Sequence, residues 1–406
     1  MRVLRGKNIV LGITGGIAAY KVVELASRLV KAGAIVHVIM TEAATRFVTP
    51  LTFQAITHRP VLTDMFLLSE TMPLPHIALA SQADVLVIAP ATANTIAKLA
   101  HGLADNLLTA VALATSAPIV IAPAMDEGMY ENPATRENLE ILRSRGVEIV
   151  GPAWGRLASG KEGWGRMVEV EELLGTIRMV LGRGGPLKGF QILVTAGGTR
   201  EHMDPVRFLG NPSSGKMGYA LAEAARDRGA QVTLISAPTF LPEPLGVRLI
   251  KVVSAREMEE AVLREAPQFD CVIMAAAVAD YRPEFYAEHK LKKEAAEELL
   301  LRLVRNPDIL SEVAAVREKY GKPRVVVGFA AETESLLENA RRKLEEKKLD
   351  LIVANDVSSP DSGFGVDTNR VVILDREGRA ERLPLLPKTE VAEEVLDRVE
   401  RLLRPD

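Results

Sequence analysis

One cysteine, Cys271, stands in a chain of 406 residues. A single thiol excludes an intrachain disulfide framework and any cysteine-cluster metal site, and it fits a reducing compartment. Its neighbours in Cys271-Val272-Ile273-Met274 are apolar, which marks a core strand position. Long apolar runs are also missing. None reaches the ~18 residues that a membrane-crossing helix requires, and the N-terminus has no apolar segment of the signal-peptide kind. Charge of one sign is scarce too: 50 Lys and Arg oppose 53 Asp and Glu, for a formal net charge of −3. Nothing there would draw nucleic acid or an anionic membrane. The expectation is a soluble, intracellular protein.

What is present is a well-packed globular composition, 48% hydrophobic against 25% charged, in a chain too long for one ordinary domain. Residues 7–13 form an apolar run ending in Thr14-Gly15-Gly16. A helical pattern over 17–31 and a second apolar strand over 34–40 follow. This is βαβ grammar, which implies parallel strands. Apolar runs at 84–89 and 118–122 extend the sheet, with helices expected over 93–115 and 134–145. The spacing predicts an α/β, doubly wound sheet with ligand at the carboxyl ends of its strands. Residues 151–167, with five glycines in seventeen positions, read as a mobile flap without regular structure. A helix over 169–181 closes a first domain, 1–181, and GRGGPLKG at 182–189 reads as a linker.

The second domain, 190–406, repeats the grammar. Strands are expected over 190–195, 230–236, 247–252, 270–275, 324–330 and 350–354, with helices over 214–228, 255–265, 308–318, 331–348 and 388–403. The stretch 281–306 fits neither period and reads as a functional loop. Residues 210–217, GNPSSGKM, nearly match a P-loop, but Met217 cannot ligate magnesium and the preceding strand ends too early. A phosphate-facing serine–glycine helix start survives that objection. Ala275-Ala276-Ala277-Val278-Ala279-Asp280 ends a strand on small side chains, so a base or ribose can approach the backbone. Lys290, Lys292 and Lys293, together with Lys343 and Lys347 on one helix face, suggest a triphosphate.

In the first domain the GITGGI turn lacks the dinucleotide glycine spacing, and the second strand ends in Met40-Thr41 without a ribose-binding acid. These residues leave open a mononucleotide such as FMN or an ordinary sheet turn. His76, after Pro75 at a helix start, is either a solvated first-turn histidine or a base.

Taken in order, GITGGIAAYK, PHIALA, PATANTIAKLAHGLADNLL, PAMDEGMYENPAT, the GRM of the flap, TAGGTREHMDPVRFLGNPSSGKMG, AAAVADYRP, KLKK, NPDIL, GFAAET and LIVANDVS are specific. Over essentially its full length the sequence resembles the bifunctional phosphopantothenoylcysteine decarboxylase / phosphopantothenate–cysteine ligase family. The resemblance implies an FMN decarboxylase first, in which the substrate cysteine is oxidised to a thioaldehyde that loses CO2 and the enethiol is then reduced. FMN contacts would fall on Gly15, Gly16, Ile17, Thr41, Phe47, Pro90, Ala91, Thr92, Asn94 and Met125, with His76 handling the thiol proton. It implies a CTP-dependent ligase second, working through an acyl-cytidylate. Asn211 and Lys290 would be its catalytic residues, and CTP would lie against Met274, Ala275, Ala276, Asp280, Asn306, Pro307, Asp308, Ile309, Phe329, Lys343 and Lys347. Magnesium would accompany the triphosphate on ligands that cannot be read from the sequence. The family further implies a homo-oligomer, a dodecamer built from decarboxylase trimers and ligase dimers.

Two positions depart from the family pattern. Asp126 stands where an asparagine binds the substrate carboxylate, and Ser159 where a cysteine protonates the reduced intermediate. A serine hydroxyl is a far weaker acid than a thiol. One reading is a stalled decarboxylase beside a working ligase. The preferred one is a compensated site, in which burial and the substrate carboxylate raise the Asp126 pKa so that it can donate. A decarboxylase of peptidyl cysteine and a regulatory flavin-fold protein are the other readings. The ligase half argues against the first, and the lack of an acidic tail against the second.

Overall fold

The computed structural model describes residues 2–66, 74–292, 298–332, 335–356, 363 and 365–404. It forms two compact units, Met1–Gly182 and Arg183–Asp406. Lys293, Thr333, Val357 and Ser358, which belong to expected motifs, lie outside the described residues. Among those residues no helix is long and apolar enough to cross a membrane.

The first unit holds a six-stranded sheet in the order Val61–Leu62, Ile35–Met40, Asn8–Ile13, Val85–Ala91, Ile119–Pro123, Glu148–Ile149. Every pairing is parallel. Parallel strands carry helices on both faces, so successive side chains enter two separate cores. Ile9, Leu11 and Ile13 pack into one, and Val10, Leu86 and Ile88 into the other. The strand order reverses between Asn8–Ile13 and Val85–Ala91, which opens a crevice at their carboxyl ends.

The second unit repeats the plan in eight strands: Arg248–Lys251, Gln231–Ser236, Gln191–Ala196, Cys271–Met274, Val325–Glu332, Leu351–Asp356, Val371–Asp375, Ala380–Arg382. The first six are parallel, and the last two add antiparallel to that edge. Here the order reverses between Gln191–Ala196 and Cys271–Met274. Cys271 is fully buried, and burial pushes its thiol pKa well up.

Several expectations change. The helix expected over 93–115 is two, Ala93–His101 and Leu107–Ala114. Gly102 stops the first at φ +70°, and Asn106 caps the second through a reciprocal pair with Thr109. The expected irregular flap is an antiparallel hairpin, Ala153–Arg156 with Glu162–Arg166. Its glycines permit close approach: a Cβ on Gly165 would lie 2.1 Å from the Met125 carbonyl oxygen. The expected linker packs onto the second unit, where Leu187 is fully buried and its N–H donates to the Arg228 carbonyl. Within 281–306, Tyr281–Pro283 pairs antiparallel with Leu303–Arg305. The antiparallel edge strands Val371–Asp375 and Ala380–Arg382 were not anticipated at all.

Candidate active sites at two sheet edges

In the first unit the expected FMN residues follow the strands they were read from. Gly15, Gly16 and Ile17 come after Asn8–Ile13, Thr41 after Ile35–Met40, and Met125 after Ile119–Pro123, while Pro90 and Ala91 end their strand. All therefore share the carboxyl edge of one parallel sheet. Thr14 Oγ1 donates to the Pro90 carbonyl at 2.6 Å and accepts the Thr92 N–H at 3.1 Å, tying the two loops that flank the crevice. Thr92 caps the helix Ala93–His101, with Asn94 exposed in its first turn. Ile17 and Phe47 are 57% and 48% exposed at this edge. Large apolar side chains left in water at a crevice flanked by glycine and threonine loops fit a flat, partly apolar ligand.

His76 lies in the first turn of the helix Pro75–Gln82, whose Leu79 and Ala80 are buried in the sheet core. Two residues separate that helix from the strand Val85–Ala91. So short a connection makes the helix run back along the strand, which puts His76 at the carboxyl edge. Its Nδ1 is enclosed, with no hydrogen-bond partner among the described residues. An enclosed polar atom without a partner costs stability and calls for a reason.

Asp126 begins the short helix Glu127–Tyr130 and accepts the Gly128 N–H at 3.3 Å. Ser159, on the turn of the hairpin, donates its hydroxyl to Asp126 Oδ2 at 2.7 Å. The hairpin is further held by Trp164 N–H on Glu127 Oε1 at 3.1 Å and by Met125 N–H on the Gly165 carbonyl. The expectation of a raised Asp126 pKa is corrected for this state. The Ser159 hydrogen bond, then the Gly128 N–H, hold the carboxyl below its usual range.

In the second unit a cleft of about 660 Å³ opens where the strand order reverses. Lining it are Asn211, the helix start Ser213–Met217, the strand end Met274–Asp280, Asn306–Ile309, Phe329, Lys343 and Lys347. Residues from five separate stretches of sequence thus meet in one cavity. Gly197, at φ +81°, turns the chain out of the strand Gln191–Ala196, and a Cβ there would meet the Ala237 carbonyl oxygen at 2.7 Å. Asn211 Nδ2 donates to the Val278 carbonyl at 3.1 Å and to that of Ala277 at 3.4 Å. Asn306 Nδ2 donates to the Ala279 carbonyl at 2.8 Å. Lys343 pairs with Glu332 at 2.7 Å and Lys347 with Asp308 at 3.1 Å. Burial alone would raise the Asp308 carboxyl; the Lys347 ammonium and the Ser311 N–H outweigh it and hold the pKa below the usual range.

Lys290 is the exception, exposed and outside the lining of the cleft. Its loop is anchored one residue on, where Leu291 N–H donates to Asp204 Oδ2 at 3.2 Å and Arg207 Nη2 donates to the Leu291 carbonyl at 2.6 Å. Residues that sequence reasoning missed also line the cleft: Asn355, Asn369 and Lys388. No spacing signals them, because the fold alone brings them there. Among the described residues, no group of three His, Cys, Asp or Glu could hold a metal ion.

The two units match two families. Residues 1–182 match the family described as Flavoprotein, and residues 187–403 the DNA/pantothenate metabolism flavoprotein C-terminal domain. Among curated relatives the chain is similar to the coenzyme A biosynthesis bifunctional protein CoaBC of Vibrio vulnificus (strain YJ016), 48% identical over 99% of this chain and 100% of that one. The proteins of the same name from Bacillus subtilis (strain 168) and Escherichia coli (strain K12) are each 46% identical, over 98% of this chain and 98% and 97% of theirs. Among solved structures, the C-terminal domain of a protein of that name is 43% identical, covering 55% of this chain and 100% of that one at a TM-score of 0.46.

Proposed function

The chain belongs to the family of coenzyme A biosynthesis bifunctional proteins, and from that premise we propose how its two units divide the work. It is an enzyme with two consecutive activities: it ligates 4'-phosphopantothenate to cysteine, then decarboxylates 4'-phosphopantothenoylcysteine to 4'-phosphopantetheine. Ligation belongs to Arg183–Asp406 and uses CTP; decarboxylation belongs to Met1–Gly182 and uses FMN. The observation that carries this division is the 660 Å³ cleft of the second unit, where a phosphate-compatible helix start, a small-residue strand end and two lysines converge.

In the cleft the phosphopantothenate carboxylate attacks the α-phosphorus of CTP, and pyrophosphate leaves. The amine of cysteine then attacks the acyl carbon and CMP leaves. The small side chains of Ala275 and Ala276 admit the base and ribose to the backbone beside Met274, and Asp280 takes a ribose hydroxyl. Lys343 and Lys347 supply positive charge, Asn211 orients the acyl group, and Lys290 approaches from its loop to steady the developing charge. Magnesium would accompany the triphosphate as its counter-ion.

At the edge of the first unit Gly15, Gly16, Thr92 and Asn94 would hold the FMN phosphate and ribityl chain, with Ile17, Thr41, Phe47, Pro90, Ala91 and Met125 against the ring. FMN supplies a reversible two-electron store when bound. His76 takes the substrate thiol proton on its imidazole. Asp126 is ionised before substrate arrives. A substrate carboxylate beside it raises its proton affinity by like charge, so Asp126 takes up a proton as substrate binds. Loss of CO2 removes that charge and makes Asp126 acidic again, when a carbon of the enethiol needs a proton. Ser159, already bonded to Asp126, relays it.

The protein acts in the cytoplasm as a homo-oligomer, a dodecamer of first-unit trimers and second-unit dimers, which sedimentation of the full chain tests. For the reactions, the full chain is incubated with phosphopantothenate, cysteine, CTP and magnesium and the products are weighed by mass spectrometry. Phosphopantetheine with CMP and CO2 is expected. Accumulating phosphopantothenoylcysteine, or its oxidised enethiol, would overturn the roles given to Asp126 and Ser159.

A further inference from the structure

Lys216 is the first residue of the helix Lys216–Arg226 and lines the cleft. Its ammonium lies 2.6 Å from Asp367 Oδ1 and donates to the Gly365 carbonyl at 3.2 Å. The partners differ in setting: the Lys216 side chain is 34% exposed and that of Asp367 86%. Asp367 is outside the cleft lining. It is drawn below the usual carboxylate range by the hydrogen bond from Lys216, with the lysine's charge adding to it.

A second lysine holds the same short segment from another element. Lys388, first residue of the helix Lys388–Leu403, is 6% exposed. Its ammonium donates to the Gly363 and Val366 carbonyls at 3.0 and 2.6 Å, and its N–H to the Asp367 carbonyl at 2.8 Å. The backbone around Asp367 is therefore anchored without help from the Asp367 carboxylate, which is free to leave Lys216.

We propose that Lys216 is a ligand for the polyphosphate of the nucleotide, and that Asp367 is a placeholder anion it exchanges for phosphate. This rests on the reading of the cleft as the CTP site. An ion pair with one partner so exposed is weak, because water and salt screen it. A phosphate at the same ammonium brings more charge, more acceptor oxygens and the N–H groups of the helix start, so it wins the exchange. The competing account, a clip that keeps this segment folded, makes the opposite prediction for the loss of the carboxylate.

The test is calorimetric titration of the full chain with CTP and magnesium at fixed salt, with melting temperatures as the check on folding. Removing a charge-assisted phosphate contact, Lys216→Met weakens CTP about tenfold. Asp367→Asn, which removes only the competing anion, tightens CTP by about threefold or more. The double variant binds like Lys216→Met alone, because Asp367 acts through Lys216. If Asp367→Asn weakens CTP or leaves it unchanged while the unaltered chain binds normally, the exchange is overturned and the CTP site stands. If the unaltered chain binds no CTP, the assignment of the cleft falls, and the exchange with it.

Discussion

Ser159 Oγ donates to Asp126 Oδ2 at 2.7 Å, joining the turn of a glycine-rich hairpin to the start of a helix 33 residues earlier in the chain. Since the carboxylate accepts that hydrogen bond, the hydroxyl and the carboxylate form one hydrogen-bonded pair. The relay argued above requires both. Asp126→Asn removes the ionisable member and is expected to slow phosphopantetheine formation by about a hundredfold, the scale of a lost general acid. In a single turnover CO2 release is expected to fall much less, so the enethiol builds up to about one per bound flavin. Assaying CO2 and phosphopantetheine separately makes the check; equal rates in the variant and the parent would dispose of the relay.

The same contact makes hairpin docking depend on pH. Asp126 has a folded pKa below its usual 3.8. The stabilisation from its ionised form is present above 3.8 and is lost as pH falls through the lower, folded value. Both tryptophans of the chain lie on this hairpin, Trp154 and Trp164, with ring centroids 6.0 Å apart. Tryptophan fluorescence is therefore expected to report a transition below pH 3.8 that precedes unfolding of the sheet followed by far-UV circular dichroism. Asp126→Asn should lack it. Survival of the transition in that variant would assign it to another group.

These two residues also show where sequence reasoning reaches its limit. The parallel strands were legible because burial on both faces writes them as unbroken apolar runs, as in Val85–Ala91 and Cys271–Met274. The carboxyl edges of the sheets were legible for the same reason: Gly15, Gly16, Thr92 and Asp280 stand out by interrupting such runs or closing them. The hairpin was not. Glycines at 163 and 165 read as loss of structure, whereas they admit Glu127 and the Met125 carbonyl to close contact. The hydrogen bond that holds the Asp126 carboxyl down in this state was not legible, because its donor, Ser159, is remote in sequence. Lys388 was invisible for a stronger form of that reason, its partners Gly363 and Val366 being fixed only by the fold.

His76 supplies a prediction in which stability and activity move apart. Its enclosed Nδ1 has no partner among the described residues, and such an atom costs about 1–3 kcal/mol. His76→Leu removes that cost while keeping a side chain of comparable bulk. The melting temperature is expected to hold or rise, while decarboxylation drops about a hundredfold or more with the loss of its base. CMP release by the second unit should be unchanged. A fall in melting temperature together with retained decarboxylation would return His76 to a purely structural role.

Asp204 tests whether the loop carrying Lys290 works through its anchor. The carboxylate is fully buried. Burial would raise its pKa, but the Arg207 side chain and the N–H groups of Val206, Arg207 and Leu291 outweigh that and hold it far below the usual range. Arg207 closes the circuit by donating to the Leu291 carbonyl at 2.6 Å, and Ala287 N–H donates to the Met203 carbonyl at 2.9 Å. One ionised group thus fixes both the hairpin Arg200–His202 with Phe208–Gly210 and the chain beside Lys290. Asp204→Asn keeps the shape and weakens the Arg207 pair and the hold on Leu291. The ligase kcat is then expected to fall about tenfold, as for a misplaced catalytic group, while the KM for CTP changes little because Asp204 lines no part of the cleft. Steady-state CMP release against CTP concentration separates the two constants. A rise in KM with kcat intact would mean that the anchor serves nucleotide binding, and that Lys290 does not depend on it.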